Sequence, residues 1–236
     1  MRTREYLLVL DTETCNSVEQ PLPYDIGYAI TDRQGNIYKT ESFIVAETFL
    51  GMKDVMQSAY YAEKIPRYWE DIQSGTRIIK SLFNIRKQIL SDMKEYNITK
   101  VGAYNMRFDR NALDTVIRYC SQSRIRWFFP YGTEFFCIWN MASTTILKQK
   151  TFFKYAEKFN WFSEKGNVKT SAEITYNYIN RMNDFIESHT GLEDVLIEVK
   201  IMAMCYRQHK KMDKNISSSC WQKPNKTYRE WKAIEK

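Results

Sequence analysis

Asp11 and Glu13 stand one residue apart at the end of a short apolar run, Tyr6-Leu7-Leu8-Val9-Leu10. In an extended backbone both side chains point to the same side. Two carboxylates held that close repel each other unless a cation lies between them. Alone, such a pair often does no more than cap a turn. A further acid, Asp109, follows in Tyr104-Asn105-Met106-Arg107-Phe108-Asp109, where the first turn of a helix would suit it without any function. The last segment is Ser188-His189-Thr190-Gly191-Leu192-Glu193-Asp194. Five residues on a continuous helix is about 500° of rotation, a poor match to one face. With His189 on the loop before a helix and Asp194 one turn inside it, both can face one site. Leu192, Val195, Val199 and Met202 then supply the buried stripe.

Four carboxylates from three segments, Asp11, Glu13, Asp109 and Asp194, thus combine with one of only two histidines in the chain. The set lacks the Cys and His ligands expected of zinc. Hard carboxylate oxygens favour Mg²⁺ or Mn²⁺. A pair of such ions about 3.5–4 Å apart activates water and stabilises the leaving oxygen of a phosphodiester. A histidine, with an ordinary pKa of about 6.5, can take the proton from that water near neutral pH.

The order D-x-E, N-x-x-x-D, H-x-x-x-x-D resembles the DEDDh 3′–5′ exonucleases. That family includes the proofreading epsilon subunit of DNA polymerase III, RNase T and oligoribonuclease. The similarity runs from about Tyr6 to Ala203, with Ser171–Ile179 adding to the third segment, whose style is similar to small phage-borne members. The resemblance implies an RNase H-like mixed five-stranded sheet flanked by helices, and two divalent ions, Mg²⁺ or Mn²⁺. It implies Asp11, Glu13 and Asp194 as metal ligands, Asp109 as a ligand direct or through water, and His189 as general base. In the family the backbone beside the first motif contacts the 3′ end. Thr12 and Thr14, with Asn105 on the loop of the second motif, are therefore the substrate-binding candidates. Two features depart from the pattern: Tyr104 stands where a histidine usually precedes Asn105, and a long helical elaboration precedes Asp109. The implied activity is release of nucleoside 5′-monophosphates from 3′ ends of single-stranded DNA. An exoribonuclease of the RNase T or oligoribonuclease type is the alternative with the same chemistry. A non-catalytic nucleic-acid-binding accessory of a polymerase is the alternative from another class, against which five retained, mutually repelling or titratable groups weigh. A DNA polymerase or other replication proteins are the implied partners.

The elements that must position these residues read as an α/β layer pattern. Tyr6–Leu10 is a buried strand, Tyr24–Asp32 a second, and Ile37–Val45 a third, joined by the turn Arg33-Gln34-Gly35-Asn36. Helical periodicity begins at Phe49 and is broken at Pro66. Thr76–Tyr96 is expected as a longer helix, and Lys100–Tyr104 as a fourth strand leading into a helix through Leu113, Val116 and Ile117. From Trp139 to about Arg207 the chain reads as mostly helical.

Composition bounds the rest. The chain has 236 residues, 44% hydrophobic and 27% charged, enough for a sizeable core. Its five cysteines are scattered, with no CxxC pair, which fits a reducing compartment. No apolar run approaches the roughly 18 residues of a membrane span. The first apolar run is too short for a signal peptide, so a cytoplasmic location is expected, that of the host for a phage-encoded chain. The net charge is +7, of which residues 205–236 carry +6, with nine Lys/Arg against three acids. The chain therefore divides into an exonuclease domain, 1–204, and a basic C-terminal extension, 205–236, suited to a polyanion. Arg107, Arg110, Arg118, Arg124 and Arg126 with Trp127, Phe128 and Phe129 are candidates for a phosphate path and a base-stacking platform, as are Tyr60, Tyr61, Tyr68 and Trp69. With 15% aromatic residues, most rings must instead serve packing.

Overall fold

The apolar run that ends in Asp11 is strand β1, Leu7–Cys15, in a computed structural model that describes residues 4–59 and 62–234. Tyr60 and Tyr61, named as stacking candidates, and the tail's Glu235 and Lys236 lie outside the described residues. β1 pairs antiparallel with β2, Leu22–Thr31, which pairs antiparallel with β3, Ile37–Val45. The meander is closed by the expected turn, where Gly35 adopts φ +86° and Asp32 Oδ1 accepts from the backbone amides of Gln34 and Asn36. Helices α1, Ala46–Phe49, α2, Lys53–Met56, and α3, Ile65–Gln73, follow, with a single 3₁₀ turn at Ala62–Lys64.

The sheet has six strands among the described residues, not five. The segment expected as one helix from Thr76 is strand β4, Ile78–Lys80, followed by helix α4, Leu82–Glu95. Ser81 separates them: its backbone is extended and its hydroxyl accepts from the Asn84 amide, an N-cap. Ile78, Ile79 and Leu82 fit a helical period as well as a strand, and the β-branched pair goes to the sheet edge. Strand β5, Lys100–Ala103, runs parallel to β1 and leads into α5, Met106–Ser121. Strand β6, Glu134–Cys137, lies in the aromatic stretch to which the sequence assigned no element. The strand order is β4-β3-β2-β1-β5-β6.

Both faces of the sheet are covered, which is why β2 is buried along its whole length and β1 opens on a continuous apolar run. Leu8 and Leu10 point into one core with Ile85 and Ile89 of α4 and Leu113 and Val116 of α5. Leu7 and Val9 point into the other. That second layer holds α6, Ile138–Thr144, α7, Lys150–Lys158, α8, Ala172–Asn180, α9, Gly191–Arg207, and α10, Gln222–Ile234. Val195, Val199 and Met202 form the buried stripe of α9, while Leu192 is half-buried. Helix α10 of the basic C-terminal segment folds onto this layer. Trp231 of α10 is buried against Phe153, ring centroids 5.6 Å apart, and Lys232 pairs with Glu157 at 2.7 Å. Among the described residues no helix is long and apolar enough to cross a membrane.

The N-terminus of α9 is pinned to the sheet by two devices. Gly27 of β2 and Gly191 meet so closely that a Cβ on Gly27 would lie 2.3 Å from the Gly191 carbonyl carbon. Beside them, buried Asp25 accepts from the Gly191 amide at 3.0 Å, from the Tyr68 hydroxyl at 2.9 Å and from Arg77 Nη1 at 3.0 Å. Arg77, itself buried, also holds Asp71, Ser42 and, through Nη2 at 2.9 Å, Glu193 of α9. Removing one partner of a buried ion pair leaves the other charge uncompensated, at a cost of about 3–5 kcal/mol. Arg77→Ala is therefore expected to lose stability on that scale in urea unfolding; a loss under about 1 kcal/mol would contradict the clamp.

Candidate active site

Alternation along β1 sends Asp11 and Glu13 to the same face as Leu7 and Val9, the face that α9 covers. The pairing of β1 with β2 shifts register immediately after Glu13. Such irregularities re-aim side chains next to functional sites. Asp109 lies in the first turn of α5 and is buried. Its Oδ1 accepts from the Thr12 amide at 3.1 Å and the Thr12 hydroxyl at 3.0 Å, which ties α5 to β1. Thr190 is the N-cap residue of α9, so His189 falls on the preceding loop and Asp194 one turn inside the helix. His189 adopts φ +51°, a left-handed conformation unusual for a non-glycine residue. Loop 181–190 is held by Lys64, whose Nζ donates to the Ser188 carbonyl, and by Ser188 Oγ donating to Asp194 Oδ1 at 3.2 Å.

These residues meet at one cavity of about 460 Å³. Asp11, Thr12, Glu13, Asn105, Asp109, His189 and Asp194 all line it. Donor atoms of Glu13, His189 and Asp194 lie within 4.8 Å of one another. Asn105 makes no side-chain cap bond to α5, and its side chain borders the cavity. Thr14 lies past the register shift, half-buried, and does not line the cavity.

Three groups escaped the sequence reading. Glu198, one turn beyond Asp194 on α9, is buried at the cavity floor with Oε2 unpaired. Its i+4 spacing from Asp194 was the available signal. Glu187 lines the cavity, and Lys64, from the segment between β3 and β4, donates to the Ser188 carbonyl on the loop that carries His189. Tyr104 is buried, and its hydroxyl is 2.7 Å from both the Thr170 carbonyl and the Thr175 hydroxyl. Its ring stacks on Trp139, centroids 6.4 Å apart and planes 22° apart, giving the cavity an aromatic wall.

Burial, then repulsion by Asp109, Glu198, Glu13 and Asp194, holds the Asp11 carboxyl well above the usual carboxylate range. Burial, then Asp194 and Asp25, pushes Glu13 up to about 8. Burial takes Asp109 and Asp194 to about 7, against hydrogen bonds from Thr12 and Ser188 respectively that favour the ionised form. Glu198 is raised for the same reason, burial first and Asp109 next. His189 moves the other way: burial and then the Lys64 ammonium lower its pKa.

The acid shifts set the stability profile of the metal-free chain. A carboxyl whose folded pKa lies above its unfolded one stabilises the fold at low pH, and that contribution fades as pH rises through the folded value. Between pH 5.5 and 8.5 the metal-free melting temperature is expected to fall by about 5–10 °C, since one pKa unit is about 1.36 kcal/mol. Mg²⁺ or Mn²⁺ should restore most of the loss at pH 8.5 and little at pH 5.5. A melting temperature that rises over this window would contradict the crowding.

No family model and no curated protein sequence matches the chain. Solved structures of E. coli Exonuclease I do. The complex with a dT13 oligonucleotide matches at a TM-score of 0.54 and 13% identity, over 87% of this chain and 42% of that one. The zinc-bound form of the complex with single-stranded DNA matches at 0.52 and 13%, over 88% and 42%. The complex with a dA16 oligonucleotide matches at 0.51 and 14%, over 84% and 40%. The chain thus spans about two-fifths of the length of these exonucleases and shares with them the RNase H-like α/β fold.

Proposed function

We propose that the chain is a divalent-metal-dependent 3′–5′ exonuclease acting on single-stranded DNA and releasing nucleoside 5′-monophosphates. One observation carries the reading. Asp11, Glu13, Asp109 and Asp194, from three distant segments, line a single cavity with His189. Four carboxylates crowded in this way, with buried Glu198 Oε2 unpaired behind them, destabilise a metal-free fold and suit hard divalent cations. The single-stranded DNA in the Exonuclease I complexes supports the substrate class.

Two ions, Mg²⁺ or Mn²⁺, would be held with Asp11, Glu13 and Asp194 as ligands and Asp109 as a ligand direct or through water. When bound, such ions lower the pKa of water and stabilise developing charge on phosphate oxygens. The protein's own groups do the rest. His189, kept neutral by burial and by Lys64, accepts the proton of the attacking water on a ring nitrogen. The Tyr104–Trp139 wall offers the terminal base an aromatic surface and keeps water from that side. Thr12 holds Asp109 in place through two hydrogen bonds to one oxygen, and these favour its ionised form against burial.

The test compares labelled single-stranded DNA, duplex DNA and single-stranded RNA, with Mg²⁺, Mn²⁺ or chelator. Digestion of single-stranded DNA in preference to the others, and only with a divalent ion, is the expected result. Preference for RNA would transfer the site to an exoribonuclease, and binding without hydrolysis would remove the enzymatic assignment.

A further inference from the structure

A second cavity, about 690 Å³, adjoins the first, and Asn105 and Phe108 line both. Its floor is the outer face of α5. Arg107, Arg110, Asn111 and Asp114 recur there at steps of three and four residues and so share one face. Its far wall is Trp127, which is 54% exposed. Guanidinium carbons of Arg118 and Arg110 lie 4.2 and 5.8 Å from the Trp127 ring centroid. A single exposed ring is ordinary on a protein surface. An indole beside two cations, on a groove that shares Asn105 and Phe108 with the acidic cavity, is a different arrangement.

We infer that this groove holds the nucleotides of a single-stranded polynucleotide that lie upstream of the one being removed, with Trp127 as a stacking platform and Arg107 and Arg110 on the phosphates. The inference rests on the exonuclease reading of the adjoining cavity. Charge supports the assignment. Arg107 is exposed and donates to the neutral Ser218 hydroxyl at 2.9 Å, and Arg118 donates to the Arg126 carbonyl. Of the two acids lining the groove, Asp114 is already engaged by the Phe128 amide at 2.9 Å and by Arg110 at 3.7 Å. The surface therefore offers cations and a π face, the two components that bind single strands without reading sequence. The walls shared at Asn105 and Phe108 set the strand's polarity in this proposal: the 3′ end lies among the carboxylates and the 5′ side runs along α5.

The experiment measures kcat/KM with Mg²⁺ on single-stranded DNA from two to about twelve nucleotides long, and the salt dependence of KM, for wild type, Trp127→Ala and Arg107→Ala. Both side chains are exposed, so melting temperatures close to wild type are expected. In wild type, kcat/KM should rise with length as the groove fills. Trp127→Ala should shrink that rise by about 5- to 150-fold, the scale of one base–aromatic stack. Trp127→Phe should recover most of it, which a merely structural tryptophan would not require. Arg107→Ala should flatten the log–log salt slope by about 0.7, one phosphate contact to a single strand. An unchanged length advantage and salt slope in both folded variants would overturn the inference and leave the groove to a protein partner. Failure of wild type to digest any length would instead sink the exonuclease reading itself.

Discussion

Asp11→Asn should lower turnover by at least about 10³-fold while melting no lower than the parent protein. Asp11 is where the repulsion converges, facing Asp109, Glu198, Glu13 and Asp194. Neutralising it relieves crowding in the metal-free chain, so the fold is kept or strengthened. The same change removes an anionic oxygen from the centre of the donor set. Metal ions in such sites supply several kcal/mol of transition-state stabilisation, and each 1.36 kcal/mol or so is tenfold in rate. Asp194→Asn should behave alike, because Asp194 shares the cluster with Glu13 and His189. Steady-state digestion and a thermal melt on the same preparation decide the matter. Turnover within about tenfold of wild type would remove Asp11 from the metal site. A melting temperature several degrees lower would contradict the account of a crowded fold.

His189→Ala should cost about 10²–10⁴ in kcat with little change in KM, the scale of a lost general base. The pH profile separates this role from a structural one. A base works only when unprotonated, so wild-type kcat should fall as pH drops through the histidine's pKa. Burial and the Lys64 ammonium lower that pKa, which places the acidic limb below the ordinary histidine value of about 6.5. In His189→Ala this limb should vanish, leaving only what carboxylate titration contributes to metal affinity. The left-handed backbone at residue 189 gives a control, since His189→Asn keeps a residue that tolerates that conformation but has no base. An acidic limb that persists unshifted in His189→Ala would assign the proton to another group.

Much of the site was legible because its residues sit at places where sequence has meaning. Strand alternation and helix phase allow a D-x-E after an apolar run and a histidine just ahead of a helix to face one site, but it was the order of the three motifs, and the family resemblance it carries, that singled them out. The meander from Leu7 to Val45 was legible for the same reason, with a turn built around Gly35 between its second and third strands. What sequence did not reveal depends on long-range packing. Glu198 carries only its i+4 spacing from Asp194, and its burial shows once α9 is seen packed across β1 and β2 beside the Gly27–Gly191 contact. Lys64 belongs to a short turn with no periodicity, and only the folded chain brings its Nζ to the Ser188 carbonyl, 124 residues away. Strand β4 escaped because three residues beside a long amphipathic helix satisfy either period, and pairing with β3 decides between them. Charge marks the basic extension as suited to a polyanion but does not show how it docks, through Trp231 and through Asn225, which bonds the backbone of Val168 by both its oxygen and its nitrogen.

Hydrolysis from a 3′ end would show itself in the polarity of digestion. A single-stranded oligonucleotide of about twenty nucleotides is labelled at the 5′ end in one reaction and at the 3′ end in another, each with Mg²⁺ and with chelator. The 5′ label is expected to move down a continuous ladder while the 3′ label appears at once in a nucleoside 5′-monophosphate, with neither change in chelator. Early release of the 5′ label, internal fragments without a ladder, or equal digestion in chelator would contradict it.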